Sequence, residues 1–198
     1  MAGAVQGLGF VRGHGWNIFA AGSGPVFATG MRTRRAERGS MELDMQATVE
    51  ALGDVLRGRG CRMATAESCT GGLVASTLTD VSGSSEWFEG GVVAYDNRIK
   101  MRLLAVPEEV LARHGAVSRE CVEAMVRGVC DLMNVPVALA VSGIAGPGGG
   151  TPEKPVGTVW MAWRCFDRIW SRVFHFQGGR GQIKLQSVHA AIAELART

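Results

Sequence analysis

Apolar residues recur at helical spacing between Leu43 and Arg57, and two glycines, Gly58 and Gly60, follow that stretch. A stripe of this kind predicts an amphipathic helix that ends at the glycines. The same period predicts four more helices, and Ser118 supplies a good N-cap for a long one of them. These helices lie at Thr70–Leu78, around Ile99–Leu104, from Ser118 through Leu132 and at Gln182–Ala196.

Five shorter stretches have the composition of β-strands. Val137–Val141 is a continuous apolar run, which is typical of a strand covered on both faces. Two stretches rich in Val, Trp and Phe follow, and the short link Cys165–Arg168 between them predicts a hairpin. The predicted strands are Cys61–Ala66, Gly91–Tyr95, Val137–Val141, Gly157–Arg164 and Ile169–Phe176. This order of elements predicts an α/β fold of layers around a mixed sheet, formed as a single domain by residues 41–198.

Residues 1–40 show neither the period of a helix nor that of a strand. They carry nine glycines and end in an arginine cluster from Arg32 to Arg38. They hold five arginines against one acidic residue, Glu37, whereas the rest of the chain has 16 basic and 17 acidic side chains. Three interpretations stay open: a poorly ordered leader, an organelle-targeting peptide, or a start that is called too early, with translation beginning at Met41. We favour the last, because ordered pattern begins directly after Met41. The near balance of charge in residues 41–198 gives no electrostatic reason to expect nucleic-acid binding there.

The composition narrows the class of protein further. Of 198 residues, 46% are hydrophobic and 20% charged, which suits a domain with a buried core. No apolar run approaches about eighteen residues, so a membrane-spanning protein is not expected. The five cysteines are an odd number without a C-x-x-C pair. They indicate neither a disulfide scaffold nor a zinc ribbon, and they favour a reducing, cytoplasmic setting.

The stretch Thr65–Gly72 stands at a predicted strand-to-helix junction and holds Ser68, Cys69 and Thr70 before two glycines. A helix N-terminus presents unpaired N–H groups, and glycines let a ligand approach the backbone closely. The turn therefore suits an oxyanion or a phosphate. The alternative is structural: Ser68 or Thr70 caps the helix, and the glycines serve packing.

Two further segments are candidates for ligand binding. The glycine-rich Val141–Thr151 follows an apolar strand directly but lacks the G-K-[ST] ending of a P-loop, which argues against a nucleoside triphosphatase. Ligands bind at strand ends in open α/β sheets, so this segment predicts a binding loop with Lys154 as a nearby cation, or else a flexible connection. Tyr95 ends a predicted strand, and Lys100 follows on a short helix, where a lysine is usually a surface charge.

Six short motifs stand in a fixed order along the chain: Ala66–Gly72, Gly83–Gly91, Tyr95 with Lys100, His114–Ser118, Gly143–Gly149 and Lys154–Thr158. They resemble the CinA C-terminal domain family, also known as the nicotinamide mononucleotide deamidases, over nearly all of residues 41–198. The resemblance implies a three-layer α/β/α sandwich with a mixed sheet. It also implies an enzyme of pyridine nucleotide salvage that hydrolyses the carboxamide of nicotinamide mononucleotide to nicotinic acid mononucleotide and ammonia.

The resemblance also implies roles position by position. Ser68 matches the family's proposed nucleophile, Lys100 its basic partner and Tyr95 a residue that lines the site. We further expect the glycine-rich loop from Gly143 to Gly149 to surround the ribose phosphate, with Lys154 or Arg180 supplying charge. The full set of expected substrate-binding residues is Cys69, Thr70, Gly71, Gly72, Ser142, Gly143, Gly146, Gly148, Lys154 and Arg180. Two residues depart from the family pattern: Ser142 stands where Thr is common and keeps the hydroxyl, and Gly179 stands where an Asp usually precedes Arg180.

Amide hydrolysis needs a nucleophile, a base that takes its proton, and donors that face the developing oxyanion. Ser68 and Lys100 supply the first two if Lys100 is neutral, and N–H groups between Cys69 and Gly71 supply the third. Cys69 competes for the nucleophile's role, because a helix N-terminus favours the thiolate. The scheme requires no metal or cofactor.

A non-catalytic function stays open beside the enzymatic one. A module of the CinA type would bind a nucleotide and a partner protein in a competence or DNA-damage response. The presence of Ser68, Tyr95 and Lys100 favours the enzyme. The expected ligand is a small pyridine mononucleotide, and the resemblance suggests a homo-oligomer.

Overall fold

The computed structural model describes residues 44–197, which form an α/β fold around one mixed sheet. The stretch 1–40, which we expect to be a leader, a targeting peptide or the result of a start that is called too early, lies outside the described residues. Residues 44–58 are helical and form α1. The other elements are β1 (Met63–Glu67), α2 (Leu73–Thr79), β2 (Phe88–Val93), α3 (Asn97–Leu104), α4 (Glu108–His114), α5 (Arg119–Met133), β3 (Val137–Gly143), β4 (Thr158–Cys165), β5 (Arg168–His175) and α6 (Arg180–Ala196). Within residues 44–197, no helix is long and apolar enough to cross a membrane.

The sheet has the strand order β2-β1-β3-β4-β5. β1 pairs in parallel with β2 and with β3, whereas β4 and β5 are antiparallel to their neighbours. The predicted hairpin is confirmed, since Cys165 pairs with Arg168 across a two-residue turn. The register sets Glu67, the last residue of β1, beside Val93 and Val141. The segments that leave the three parallel strands therefore meet at one edge of the sheet, where open α/β sheets bind ligands.

Helices cover both faces of the sheet, so the predicted three layers are confirmed. Side chains of a strand alternate between faces, and Met63 and Ala64 of β1 accordingly belong to two different cores. One core joins the sheet to α1, α2 and α6 through residues such as Val49, Val74 and Ile192. The other joins it to α3 and α5 through Leu104, Val122, Met125, Val126 and Val129.

The face of the sheet beneath α5 is made largely of alanines, which allows a close approach of the helices. Five of them are buried there: Ala64, Ala66, Ala138, Ala140 and Ala162. Above them, Gly128 of α5 lies so near the end of α3 that a Cβ on Gly128 would stand 1.9 Å from the Leu104 carbonyl oxygen. This contact fixes α3, the helix that carries Lys100, against the core.

Two details differ from the prediction. The helix α4 was not predicted, because its apolar residues Val110 and Leu111 are only partly buried and form a weak stripe. Strand β2 begins three residues earlier than expected, since Gly90 and Gly91 obscure the strand pattern, and it ends at Val93 instead of Tyr95. Trp87, directly before this strand, is fully buried against Gly53.

Candidate active site

A pocket of about 200 Å³ lies where β1 and β3 end. Seven of the predicted site residues line it: Ser68, Cys69, Tyr95, Lys100, Ser142, Gly143 and Arg180. Four residues that the sequence analysis did not single out complete the lining: Asn97, Ala116, Val117 and Ala145. Ala116 and Val117 belong to the motif His114–Ser118, so the resemblance contained a signal for them, although no role was attached to it.

Ser68 is the first residue after β1 and begins the turn that leads into α2. Its N–H donates to the Val141 carbonyl (2.9 Å), which extends the β1–β3 pairing by one residue, and its carbonyl accepts from the Gly71 N–H (3.1 Å). Gly71 and Gly72 have φ values of 64° and 91°, in the left-handed region that favours glycine. The two glycines therefore make the tight turn that holds Ser68 at the pocket.

The Glu67 side chain occupies the N-terminal end of α2. Its buried carboxylate accepts hydrogen bonds from the N–H groups of Gly72 (2.9 Å), Val74 (3.0 Å) and Ala75 (2.8 Å). These donors are thus committed within the protein and do not face a ligand. No side-chain hydrogen bond from the N-cap residue stabilises α2, so the structural alternative, capping by Ser68 or Thr70, is wrong.

Cys69 and Thr70 retain N–H groups that can serve an oxyanion. The Gly71 N–H is bonded to Ser68, but within residues 44–197 no main-chain oxygen accepts from the N–H of Cys69 or Thr70. Both N–H groups interact with the Cys69 sulfur and lower the pKa of its thiol, and Cys69 lines the pocket. The expected donors between Cys69 and Gly71 are therefore reduced to the first two.

Lys100 lies in α3, a helix that begins where the Asp96 carboxylate accepts from the Arg98 N–H (2.8 Å). The cap residue Asp96 directly follows Tyr95, and the Lys100 side chain turns back toward Tyr95. The side chain is only 1% exposed, and its Nζ donates to the Tyr95 carbonyl oxygen (3.0 Å). The lysine is therefore buried at the pocket instead of forming an ordinary surface charge.

Burial also shifts the protonation equilibrium of Lys100 toward the neutral amine. It lowers the pKa of the amine below its ordinary value of 10.5, because the ammonium form loses its hydration. Weaker interactions with Cys121, Asp96 and Cys69 act in the opposite direction. Burial raises the pKa of both thiols to about 11, so at neutral pH they are uncharged and attract the ammonium little. The direction of the shift is the one that a lysine base requires.

The Cys69 thiol differs from the reactive thiolate that the sequence suggested. Burial raises its pKa to about 11, against the opposing effects of its own N–H, the Thr70 N–H and Lys184. The expectation of a favoured thiolate is wrong, because the side chain is desolvated and the first-turn N–H groups of α2 are bonded to Glu67. This weakens the case for Cys69 as nucleophile.

Arg180 joins three segments at the mouth of the pocket. It is the first residue of α6; its Nη1 donates to the Gly146 carbonyl (2.7 Å) and its Nη2 to the Tyr95 hydroxyl (3.0 Å). Gly179 provides no side-chain cap for α6, and the Gln182 side chain accepts from the Gly179 N–H (2.9 Å) instead. Although Gly179 departs from the family pattern, two hydrogen bonds hold the Arg180 guanidinium in place.

Several predicted binding residues do not line this pocket. Among residues 44–197 these are Thr70, Gly71, Gly72, Gly146, Gly148 and Lys154. Gly146 still contacts Arg180 through its carbonyl, whereas the Lys154 Nζ donates to the His114 carbonyl (2.8 Å). Ser142 helps to shape the pocket wall, because its Oγ donates to the Ala116 carbonyl (2.7 Å).

Lys154 lines a second recess, which adjoins the pocket through Val117. This recess has a volume of about 430 Å³ and is lined by Arg113, His114, Val117, Ser118, Arg119, Glu120, Lys154 and Trp160. Arg113 forms an ion pair with Glu109, and Arg119 with Glu123. Within the described part of the chain, no group of three or more His, Cys, Asp or Glu residues is arranged to hold a metal ion.

Comparisons with known proteins agree with this architecture. The family model of the CinA C-terminal domain matches residues 45–198. Nicotinamide-nucleotide amidohydrolase PncC of Pseudomonas putida is 51% identical over 141 residues, which are 71% of this chain and 88% of that protein. A CinA-like protein of Desulfotalea psychrophila is 46% identical, and the match covers 78% of this chain but only 37% of that protein. The crystal structure of competence damage-inducible protein A from Klebsiella pneumoniae has a TM-score of 0.75 and 36% identity, with 78% of this chain and 96% of that chain covered.

Proposed function

The chain belongs to the CinA C-terminal domain family, and from that membership we propose that it is an amidohydrolase that converts nicotinamide mononucleotide to nicotinic acid mononucleotide and ammonia. Its similarity to a nicotinamide-nucleotide amidohydrolase, over most of both chains, supports the reaction. The observation that carries the mechanism is the presence of Ser68 and the buried Lys100 in one pocket.

In the first half of the reaction, the Ser68 Oγ attacks the carboxamide carbon while the neutral Lys100 amine takes the hydroxyl proton. The electron pair of the C=O bond moves to the oxygen, which the N–H groups of Cys69 and Thr70 stabilise. When the C–N bond breaks, Lys100 returns the proton to the leaving nitrogen. Ammonia departs and an ester on Ser68 remains.

In the second half, water hydrolyses this ester. Lys100 takes a proton from the water molecule, the hydroxide adds to the ester carbon, and the bond to Ser68 breaks. The proton returns to the Ser68 oxygen, and the carboxylic acid product gives its own proton to the solvent and leaves as a carboxylate. The cationic pyridinium ring of the substrate, bound beside Lys100, disfavours an ammonium there and so helps to keep the base neutral.

The test is ammonia release from nicotinamide mononucleotide by the purified full chain, with the acid product identified by chromatography. Ser68→Ala is expected to lower kcat by roughly 10³-fold or more, since a nucleophile cannot be replaced by its neighbours. Cys69→Ala is the matched comparison at the adjacent position and is expected to retain turnover.

Two outcomes would contradict the proposal. Loss of turnover in Cys69→Ala but not in Ser68→Ala would reverse the assignment of the nucleophile. Nucleotide binding by the wild-type chain without ammonia release would favour the non-catalytic module instead.

A further inference from the structure

Lys184 lies beside the active-site turn, although no sequence pattern singles it out. Its Nζ lies 3.6 Å from the point at which a Cβ on Gly71 would stand, and its charge acts on the Cys69 thiol. It follows Arg180 by four residues in α6, and residues with this spacing lie on the same helix face. Two cations of α6 thus flank the turn that carries Ser68.

The Lys184 ammonium is not neutralised by the protein. Within residues 44–197 it takes part in none of the ion pairs and in no side-chain hydrogen bond. Its side chain is half-buried, so the charge is held near the turn and remains open to a ligand. The Arg180 guanidinium differs, because it already donates to Gly146 and Tyr95.

The size of the pocket indicates that part of the substrate lies outside it. Its volume of about 200 Å³ is below the ~300–1,000 Å³ of sites that enclose a whole small-molecule ligand. With the carboxamide and ring at Ser68, the sugar phosphate must extend to the rim. A phosphate monoester carries up to two negative charges and binds where cationic donors converge.

Cationic side chains lie at two parts of the rim, and these parts differ in how far carboxylates neutralise the cations. In the second recess, Arg113 and Arg119 are paired with carboxylates, Glu120 adds a negative charge, and the Lys154 ammonium donates to a carbonyl. On the α6 side, Arg180 lines the pocket itself and Lys184 has no carboxylate partner within residues 44–197. On the α6 side, therefore, neither cation forms an ion pair with a carboxylate of residues 44–197.

We propose that Lys184, together with Arg180, binds the phosphate group of the substrate and selects the phosphorylated nucleotide over the nucleoside. This inference rests on the proposed function and adds a specificity-determining residue to it. The carboxamide chemistry does not involve Lys184, so the residue acts on recognition of the phosphate alone.

The test compares nicotinamide mononucleotide with nicotinamide riboside, which has the same ring and carboxamide but no phosphate. In the full chain, Lys184→Gln is expected to lower kcat/KM for the mononucleotide roughly tenfold and to leave that for the riboside unchanged. Lys184→Arg keeps the charge and is expected to retain most of the discrimination. Arg102→Gln, at an exposed position of α3, is the control for loss of one positive charge and is expected to change neither value.

Three results would overturn the inference. An equal fall for both substrates in Lys184→Gln would mean that the residue acts on the reacting group or on the fold. No change for the mononucleotide would mean that Lys184 does not contact the phosphate. A loss of discrimination in Lys154→Gln, with none in Lys184→Gln, would locate the phosphate in the second recess.

The failure of this inference and the failure of the proposed function can be distinguished by binding. Calorimetry of the two ligands with the same variants, in the Ser68→Ala background, measures phosphate recognition without turnover. If the wild-type chain released no ammonia but the Lys184→Gln variant bound the mononucleotide more weakly than the unsubstituted chain, the hydrolase would be refuted and the phosphate site supported.

Discussion

Glu67 and Lys100 are two ionisable side chains buried at the same edge of the sheet, and their surroundings differ. Each side chain is 1% exposed. The Glu67 carboxylate accepts three main-chain N–H bonds of 2.8 to 3.0 Å. For the Lys100 Nζ, the structure of residues 44–197 provides one oxygen, the Tyr95 carbonyl at 3.0 Å.

In the proposed mechanism, this difference separates a structural charge from a reactive amine. Three donors offset the cost of burying a carboxylate, so Glu67 stabilises the start of α2 and leaves no capacity for chemistry. An ammonium has three N–H donors to satisfy, and one oxygen satisfies only one of them, so burial favours the neutral amine. Burial alone therefore does not identify a catalytic group; the number of hydrogen-bond partners distinguishes the two roles.

The largest expected effect comes from removing the amine. Lys100→Met keeps the length of the side chain and is expected to lower kcat by about 10²–10⁴-fold, the contribution of a general base. The free energy of unfolding should not fall, because the substitution leaves only one buried group, the Tyr95 carbonyl, without its partner. Turnover within threefold of wild type, with the fold verified by circular dichroism, would mean that Lys100 is as structural as Glu67.

The burial of Lys100 can be disturbed from a distance through Gly128. Gly128→Ala introduces a Cβ that would stand 1.9 Å from the Leu104 carbonyl, so α3 and α5 must separate. We expect a loss of about 3 kcal/mol in the free energy of unfolding, typical of an overpacked core, and a lower kcat.

The matched control for this substitution is Gly58→Ala in α1, where nothing lies within 4 Å of the added Cβ. This variant is expected to be as stable as wild type or slightly more stable, because alanine favours helix. Urea unfolding of both variants measures the difference, and equal stabilities would show that the α3–α5 contact can relax.

Removal of the Glu67 charge tests the other half of the comparison. Glu67→Gln replaces one acceptor oxygen by an NH₂ group that faces main-chain donors, and we expect a loss of about 2 kcal/mol in stability. Glu50→Gln, on the exposed face of α1, is expected to change stability by less than about 0.5 kcal/mol. If the two variants unfolded at the same urea concentration, the three N–H bonds to Glu67 would contribute little.

The smallest effect is the pH dependence of stability that Lys100 produces. Its pKa is lowered in the folded state, so between that pKa and 10.5 the unfolded chain binds more protons and stability rises with pH. The slope is at most about 1.4 kcal/mol per pH unit and is expected to disappear in Lys100→Met.

This slope is measured as the difference between wild type and Lys100→Met, because the cysteines also titrate. Burial raises the pKa of Cys69 and Cys121 from 9.0 to about 11, so between these values the folded chain binds more protons and stability falls with pH in both proteins. Identical slopes in wild type and Lys100→Met at every pH up to 10.5 would contradict the lowered pKa of Lys100.

Much of the fold follows from local sequence pattern. The apolar run at Val137–Val141 predicts a central strand, and Ser118 predicts the start of α5; its side chain does accept from the Cys121 N–H at 3.2 Å. The pattern fails where burial is partial, as in α4, or where glycines interrupt a strand, as in β2. The resemblance to a family supplied Ser68, Lys100 and Arg180 as site residues, but it gave no role to Glu67 or Lys184.

The sequence by itself determined the order of the strands and of the described helices other than α4, the family and the motif at Ser68, because these depend on residues near one another in the chain. Only the tertiary structure decided that Lys100 is buried, that the N–H groups of α2 belong to Glu67, and that Lys184 approaches the turn at Gly71. Each of these depends on segments that are distant in the chain and meet at one edge of the sheet. Desolvation and the number of available donors at that edge, which no local pattern encodes, distinguish a lysine base from a surface charge.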